Sequence, residues 1–168
     1  HITSFEEFCF IGGSIEAIKC LNKTEFLVIV ITNQPAVAKG FCQIDDIQDV
    51  HNFMETELGK NGAKLDSIYF CPCHPEKGFK GENPKYKREC SDRKPDIGML
   101  QKAEERFNID LKKSYLIGDT TTDIQTAHNA GLKSILVQTG YEGKDGKFKV
   151  KPDYVSANIY EAVKEIIK

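Results

Sequence analysis

The chain has 168 residues, with 23 Lys and Arg against 25 Asp and Glu, four His, six Cys and no Trp, a length that suits one compact catalytic domain and excludes two. Apolar residues at 40% and charged residues at 29% are the composition of a folded chain rather than a disordered one. A formal net charge of −2 supplies no broad basic field for a nucleic-acid backbone, and no polybasic run lies beside an apolar helix, so neither nucleic acid nor a membrane is expected as a partner.

The glycine pair Gly12-Gly13 opens the first element, where Ile15, Ala17, Ile18 and Leu21 recur at helical spacing over 14–21. Phe26 to Ile31 follows as a continuous run rich in β-branched residues and predicts a buried strand. It is also the longest apolar run, far short of the roughly 20 residues that cross a bilayer, and His1-Ile2-Thr3 does not begin a signal peptide. A cytoplasmic monomer is the expectation. Ile44, Ile47, Val50, Phe53, Met54 and Leu58 line one face of a long helix that Asp45 and Asp46 start and Gly59 to Gly62 end. Ser67 to Cys71 reads as a second strand, and 72–94 as a long loop, with Gly78, Gly81 and Pro84 interrupting many charges.

Order resumes after Pro95 with a helix over 97–107, a strand over 114–117, a helix over 121–130 and a strand over 134–138. An exposed loop over 144–151, a short strand at Tyr154-Val155 and an amphipathic helix over 159–167 close the chain. Strands alternating with helices of this length predict the α/β class: a doubly wound parallel sheet without a large cap domain, with chemistry at the carboxyl ends of the strands. The expected organisation is one domain over 1–168, with 71–94 as a metal-binding loop inside it.

Three strand or helix boundaries carry polar residues. Thr32-Asn33-Gln34 ends the first strand, either as an ordinary strand-to-loop cap or as a grip on a phosphoryl oxygen. Arg93-Lys94-Pro95 precedes a helix, where the two bases are solvated surface or, alternatively, a point charge for a phosphoryl group and a fork for a second anionic part of a substrate. Gly118-Asp119-Thr120-Thr121-Thr122-Asp123 brings two carboxylates four residues apart onto the end of a buried strand. These residues favour helix starts, and an Asp at such a strand end also suits Mg²⁺, a hard cation that takes carboxylate and phosphate oxygens. Cys9, Cys20 and Cys42 are scattered, whereas Cys71, Cys73 and Cys90 gather near His74; a Cys-x-Cys pair closes a disulfide with difficulty, leaving a metal or free thiols.

Taken together and in this order, Thr32-Asn33-Gln34, Arg93-Lys94-Pro95 and Gly118-Asp119 through Asp123 resemble motifs II, III and IV of the haloacid dehalogenase (HAD) superfamily of phosphatases. Phe10-Ile11-Gly12-Gly13, Ala38-Lys39-Gly40, Cys71-Pro72-Cys73-His74-Pro75 and Cys90 are similar to its heptose bisphosphate and histidinol-phosphate phosphatase branch, and the loop length favours the heptose members. The resemblance spans nearly the whole chain. It implies Mg²⁺-dependent hydrolysis of a small sugar phosphate, D-glycero-D-manno-heptose 1,7-bisphosphate to its 1-phosphate, in a pathway feeding lipopolysaccharide or another surface glycan. Histidinol phosphate is the alternative substrate, and a non-catalytic phosphate-binding domain the alternative class.

For individual residues the resemblance implies Thr32, Lys94 and Asp119 as catalytic groups, and Asn33, Gln34, Lys39 and Arg93 as substrate contacts. It assigns Mg²⁺ to Asp119 with Asp123, and a structural Zn²⁺ to Cys71, Cys73 and Cys90 with Asp92 or His74 as fourth ligand. Two positions depart from the branch: Thr120 stands where a basic residue is usual after the motif IV Asp, and Pro35 replaces a small polar residue after Gln34. The superfamily's first motif, an Asp-x-Asp that carries nucleophile and general acid, does not occur in the chain, which opens at His1 without Met. The expectation is that this motif lies upstream and that the chain without it is inactive.

Overall fold

The β-branched run predicted as the first strand enters a sheet only over its second half. In the computed structural model, which describes residues 1–168, strand β1 spans Ile29–Asn33 and pairs in parallel with β2, Ser67–Cys71, from Ile29 opposite Ser67 to Asn33 opposite Cys71. The ladder starts there because the Val28 backbone is engaged by Asp66: Val28 N donates to Asp66 Oδ2 at 2.7 Å and Asp66 N donates to Val28 O at 2.8 Å. Phe26 and Leu27 consequently stay partly exposed.

The chain divides into two units, His1–Arg93 and Lys94–Lys168. The first unit holds α1 (Ser14–Leu21), β1, α2 (Ile44–Lys60) and β2. Helix α2 opens with the Asp46 carboxylate accepting from Gln43 N at 2.7 Å, a reciprocal cap that satisfies an otherwise orphaned donor. Its apolar face buries Leu58 against Ile18 and Ala63, with Phe10, Ile15, Val28, Met54 and Leu65 around them. A separate cluster of Ala36, Val37, Cys42 and Ile47 takes in Ile44, Phe70 and Tyr86.

Residues 72–93 contain no strand and one 3-10 turn at Pro84–Tyr86. The loop docks on its own unit through backbone hydrogen bonds, Asn83 N to Ala38 O at 3.0 Å and His74 N to Tyr86 O at 3.0 Å. Inside it, the Glu82 carboxylate accepts from Gly78 N and Phe79 N and pairs with the buried Lys87 ammonium at 3.3 Å. Lys39 and Lys87 both stand over the Phe79 ring, at 4.6 and 5.0 Å from its centroid.

The second unit runs α3 (Gly98–Phe107), β3 (Tyr115–Gly118), α4 (Thr121–Ala130), β4 (Lys133–Val137), β5 (Tyr154–Ser156) and α5 (Ile159–Ile166). Its three strands lie in the order β3-β4-β5 and all pair in parallel. Parallel strands need crossover connections, and α4 and α5 supply them or close them. Ile135 and Val137 pack with Ala162 of α5, flanked by Tyr115, Ile117 and Ile166. The parallel α/β class is the one that the alternation of elements predicts, and the observed bounds fall within a few residues of the expected ones. No helix is long and apolar enough to cross a membrane.

Candidate functional site

In the second unit the candidate site is built where β3 hands over to α4. Gly118 ends the strand, and a Cβ there would lie 2.4 Å from Asp123 Cβ, so glycine is required for the Asp123 side chain to fold back over the turn. Asp123 accepts from Thr120 N at 3.1 Å and from Thr120 Oγ1 at 2.6 Å, while its own N–H faces Thr120 Oγ1, which makes the capping box that starts α4. Its other oxygen, Oδ1, pairs with Lys94 Nζ at 2.6 Å, and both side chains are largely buried, 13% exposed for Lys94 and 8% for Asp123. Both oxygens of Asp123 are therefore engaged by protein donors. Without a metal, its place is that of a counter-ion to Lys94 and a helix cap.

Asp119, four residues earlier, is differently held. Its Oδ2 accepts from the backbone N–H of Tyr141 at 2.8 Å, and its carbonyl accepts from Gly143 N at 2.8 Å. The structure thus brings Lys94, Asp119 and Asp123 into one unit, two of them in direct contact.

In the first unit, Thr32 and Asn33 are the last two residues of β1, opposite Phe70 and Cys71 of β2. Gln34 N donates to Cys71 O at 2.8 Å, and Gln34 Nε2 reaches Thr32 Oγ1 at 3.3 Å, so the polar strand end is tied both to the neighbouring strand and to itself. Lys39 lies over Phe79 on the docked loop. Arg93 Nη1 donates to Cys73 O at 2.9 Å, and its N–H donates to Cys90 O at 2.8 Å. Burial pulls the Arg93 guanidinium below its usual value, opposed by the neighbouring Cys71, Glu89, Cys73 and Cys90 side chains. One arm of the expected substrate fork is thereby spent on the loop backbone.

The sulfurs of Cys71, Cys73 and Cys90 lie within 4.8 Å of one another, and none of the six cysteines forms a disulfide. Cys71 and Cys73 are buried. Burial pushes the Cys71 thiol up to about 12, and burial likewise raises Cys73, whose thiol is linked to Cys90. Cys90 moves the other way: burial opposes ionisation, but the Asp92 backbone N–H and the thiols of Cys73 and Cys71 outweigh it. Asp92 acts on Cys90 in two opposed ways, its backbone N–H favouring the thiolate and its carboxylate charge disfavouring it, and neither that carboxylate nor His74 belongs to the close group of three. His74 Nδ1 accepts from Glu76 N at 3.3 Å. Burial and the nearby Arg93, Lys39 and Lys87 charges hold its imidazole below its ordinary value, which favours the neutral ring.

Residues 144–148 belong to the loop expected over 144–151 and, together with 140–143, bear on the β3–α4 turn. Besides Tyr141, Asp145 accepts from Thr121 N at 2.6 Å and from Thr121 Oγ1 at 2.8 Å, and Phe148 N donates to Thr121 Oγ1 at 3.1 Å. The signal available in the sequence was the run Gly140, Gly143 and Gly146 around Asp145, a turn-forming composition that says nothing about what the turn touches.

A family model described as HAD-hydrolase-like matches residues 91–162. A D-glycero-D-manno-heptose-1,7-bisphosphate 7-phosphatase of Chlorobaculum tepidum is 34% identical over 170 residues, covering 97% of this chain and 83% of that protein. The D-glycero-beta-D-manno-heptose-1,7-bisphosphate 7-phosphatase of Pasteurella multocida is 36% identical, covering 99% and 88%. Among solved structures, the D,D-heptose 1,7-bisphosphate phosphatase from B. bronchiseptica, complexed with magnesium and phosphate, superposes with a TM-score of 0.83 at 27% identity, covering 99% of this chain and 88% of that one. A putative HAD-like phosphatase from Mesorhizobium loti gives a TM-score of 0.79 at 26% identity, covering 98% and 75%. With this sequence identity over most of both chains, the protein belongs to the heptose-1,7-bisphosphate 7-phosphatase family of HAD-like phosphoric monoester hydrolases.

Proposed function

We propose that the protein removes the 7-phosphate of D-glycero-D-manno-heptose 1,7-bisphosphate in a Mg²⁺-dependent reaction and releases the 1-phosphate. The observation that carries this reading is the set of relatives bearing that activity in their names, 34 and 36% identical across nearly the whole chain. The motif residues give it chemical content. Lys94, held by Asp123, is a buried ammonium suited to a phosphoryl oxygen, and its counter-ion prevents an uncompensated charge in the absence of substrate. Asp119 offers a hard carboxylate at a strand end, a donor that fits Mg²⁺. Bound there, Mg²⁺ would neutralise charge on the phosphoryl oxygens.

In this reading Thr32 donates its hydroxyl to a phosphoryl oxygen, and Asn33, Gln34, Lys39 and Arg93 contact the rest of the sugar phosphate. The nucleophilic Asp-x-Asp of the superfamily is not among residues 1–168. We take these residues as one phosphatase domain with 71–94 as its metal-binding loop, acting as a cytoplasmic monomer without nucleic-acid or membrane partners.

Cys71, Cys73 and Cys90 supply three thiols to a structural Zn²⁺, which suits their mutual distance and burial. Asp92 or His74 completes the four ligands once the metal is in place. For His74 this requires release of the Glu76 N–H from Nδ1 or coordination through Nε2.

Phosphate release from heptose 1,7-bisphosphate and from histidinol phosphate, each with Mg²⁺ and with EDTA, tests the reading on the full-length protein. Preferential Mg²⁺-dependent release from the heptose substrate is expected, with loss of turnover in Asp119→Asn. Equal activity in that variant would overturn the metal assignment, and preference for histidinol phosphate would overturn the substrate.

A further inference from the structure

We propose that residues 140–148 form a positioning loop that presents the Asp119 carboxylate to a divalent cation, with Asp145 as the residue that pins the loop in place. The inference rests on the reading of Asp119 as a cation ligand and goes beyond it, because it assigns a function to residues that no phosphatase motif contains.

Asp119 is held by this loop at two atoms. Tyr141 N–H fixes side-chain Oδ2 and Gly143 N–H fixes the carbonyl, each at 2.8 Å. A carboxylate at a strand end otherwise rotates about its terminal torsion, which is broad and weakly restrained. A directed N–H on one oxygen sets the plane of the group and leaves Oδ1 to be offered without reorientation. Outer partners that orient a ligand in this way are worth about ten- to hundredfold in metal affinity.

The loop reaches Asp119 only because of its backbone. Gly140, Glu142, Gly143 and Gly146 all have positive φ, at 68°, 53°, 75° and 66°. At Gly140 a Cβ would sit 2.2 Å from Asp119 Oδ2, on the carboxylate itself. Any side chain there pushes Asp119 away from the Tyr141 N–H as well as straining the left-handed backbone.

The far end of the loop is tied to the first residue of α4. Asp145 takes both the N–H and the hydroxyl of Thr121, at 2.6 and 2.8 Å, and Phe148 N returns to the same hydroxyl at 3.1 Å. Asp145 thus joins the loop to the turn that carries Asp119, and it does so with no contact to the carboxylate it positions. Removing one acceptor oxygen, as in Asp145→Asn, loosens the clamp while keeping its shape.

The experiment uses the full-length, zinc-loaded protein and Mn²⁺ as a paramagnetic probe of the divalent site, titrated by EPR. Asp119→Asn defines which bound Mn²⁺ depends on Asp119. Gly140→Ala and Asp145→Asn are expected to keep native circular dichroism and full zinc content while weakening the Asp119-dependent Mn²⁺ site about tenfold or more. In turnover, the Mg²⁺ concentration for half-maximal rate should rise by a similar factor, with a smaller change in kcat at saturating Mg²⁺. Folded variants with wild-type Mn²⁺ affinity overturn the proposal, as does absence of any Asp119-dependent Mn²⁺ site in the wild type. If Gly140→Ala does not fold, Asp145→Asn decides alone. Loss of Mn²⁺ affinity in a protein whose wild type ignores heptose bisphosphate would leave the positioning loop standing and remove only the substrate.

Discussion

Two aspartates four residues apart on the same turn have different work, and the difference lies in their hydrogen-bond partners. Asp123 gives one oxygen to Lys94 and the other to Thr120, whereas Asp119 gives one oxygen to a single backbone N–H. Deleting the Asp123 carboxylate removes the counter-ion 2.6 Å from a Lys94 ammonium whose side chain is 13% exposed, and breaking a buried pair in this way costs about 3–5 kcal/mol. Asp123→Ala should therefore lower the urea midpoint sharply, with loss of the α4 cap adding to the effect. Asp119→Asn should leave the urea midpoint nearly unchanged and remove turnover. A wild-type midpoint in Asp123→Ala would show that the Lys94–Asp123 pair adds nothing net to stability. The spacing of the two carboxylates was legible in the chain, but their division of labour was not, because Lys94 is 29 residues from Asp123 in sequence.

At the scale of elements, the informative segment is the loop after β2. Cys71 ends a strand, Cys73 follows it and Cys90 returns from the far side of the loop, so the three thiols meet only if the loop folds back. Cys90→Ser should lose zinc and lower the melting temperature while the strands and helices persist, because a bound metal adds its binding free energy to folding. Full zinc content by mass spectrometry in that variant would remove Cys90 from the ligand set. The loop also leans on Gly40, which has φ of +77° and whose substituent would meet Gly81 O at 1.9 Å. Gly40→Ala should destabilise by about 1–3 kcal/mol through strain and displaced backbone, measured by thermal unfolding. An unchanged melting temperature would mean that the 78–86 segment yields freely. The cysteine spacing announced a metal or free thiols, whereas the docking of Gly40 on Gly81 carried no sequence signal beyond the glycines themselves.

For the molecule as a whole, pH acts through a few carboxylates held by the fold and through the thiols. Asp153 lies below its ordinary value of 3.8 because the N–H and hydroxyl of buried Ser134 both donate to it at 2.7 Å. Its contribution to stability is fully present above 3.8 and disappears as pH falls through the lower folded-state value. Ser134→Ala should flatten that acid limb in denaturant titrations across acidic pH, and an unaltered limb would assign it elsewhere. Zinc affinity should run in the same direction with pH: Cys71, pushed up to about 12 by burial, must lose its proton on coordination, so the protein's zinc Kd, corrected for the chelator's own pH dependence, should fall as pH rises. Hydrophobic periodicity settled which segments are helices and strands, their order and the parallel class, since each of those follows from local spacing and from the crossovers that parallel strands require. The first strand began three residues late because Asp66, from another part of the chain, takes the Val28 backbone. The motifs announced phosphate chemistry through residue type and order. Which carboxylate is open, which is committed to a lysine, and which loop steadies it were decided by contacts such as Tyr141 to Asp119 and Thr121 to Asp145, 22 and 24 residues apart, that form only when β3, α4 and the 140–148 segment are folded together.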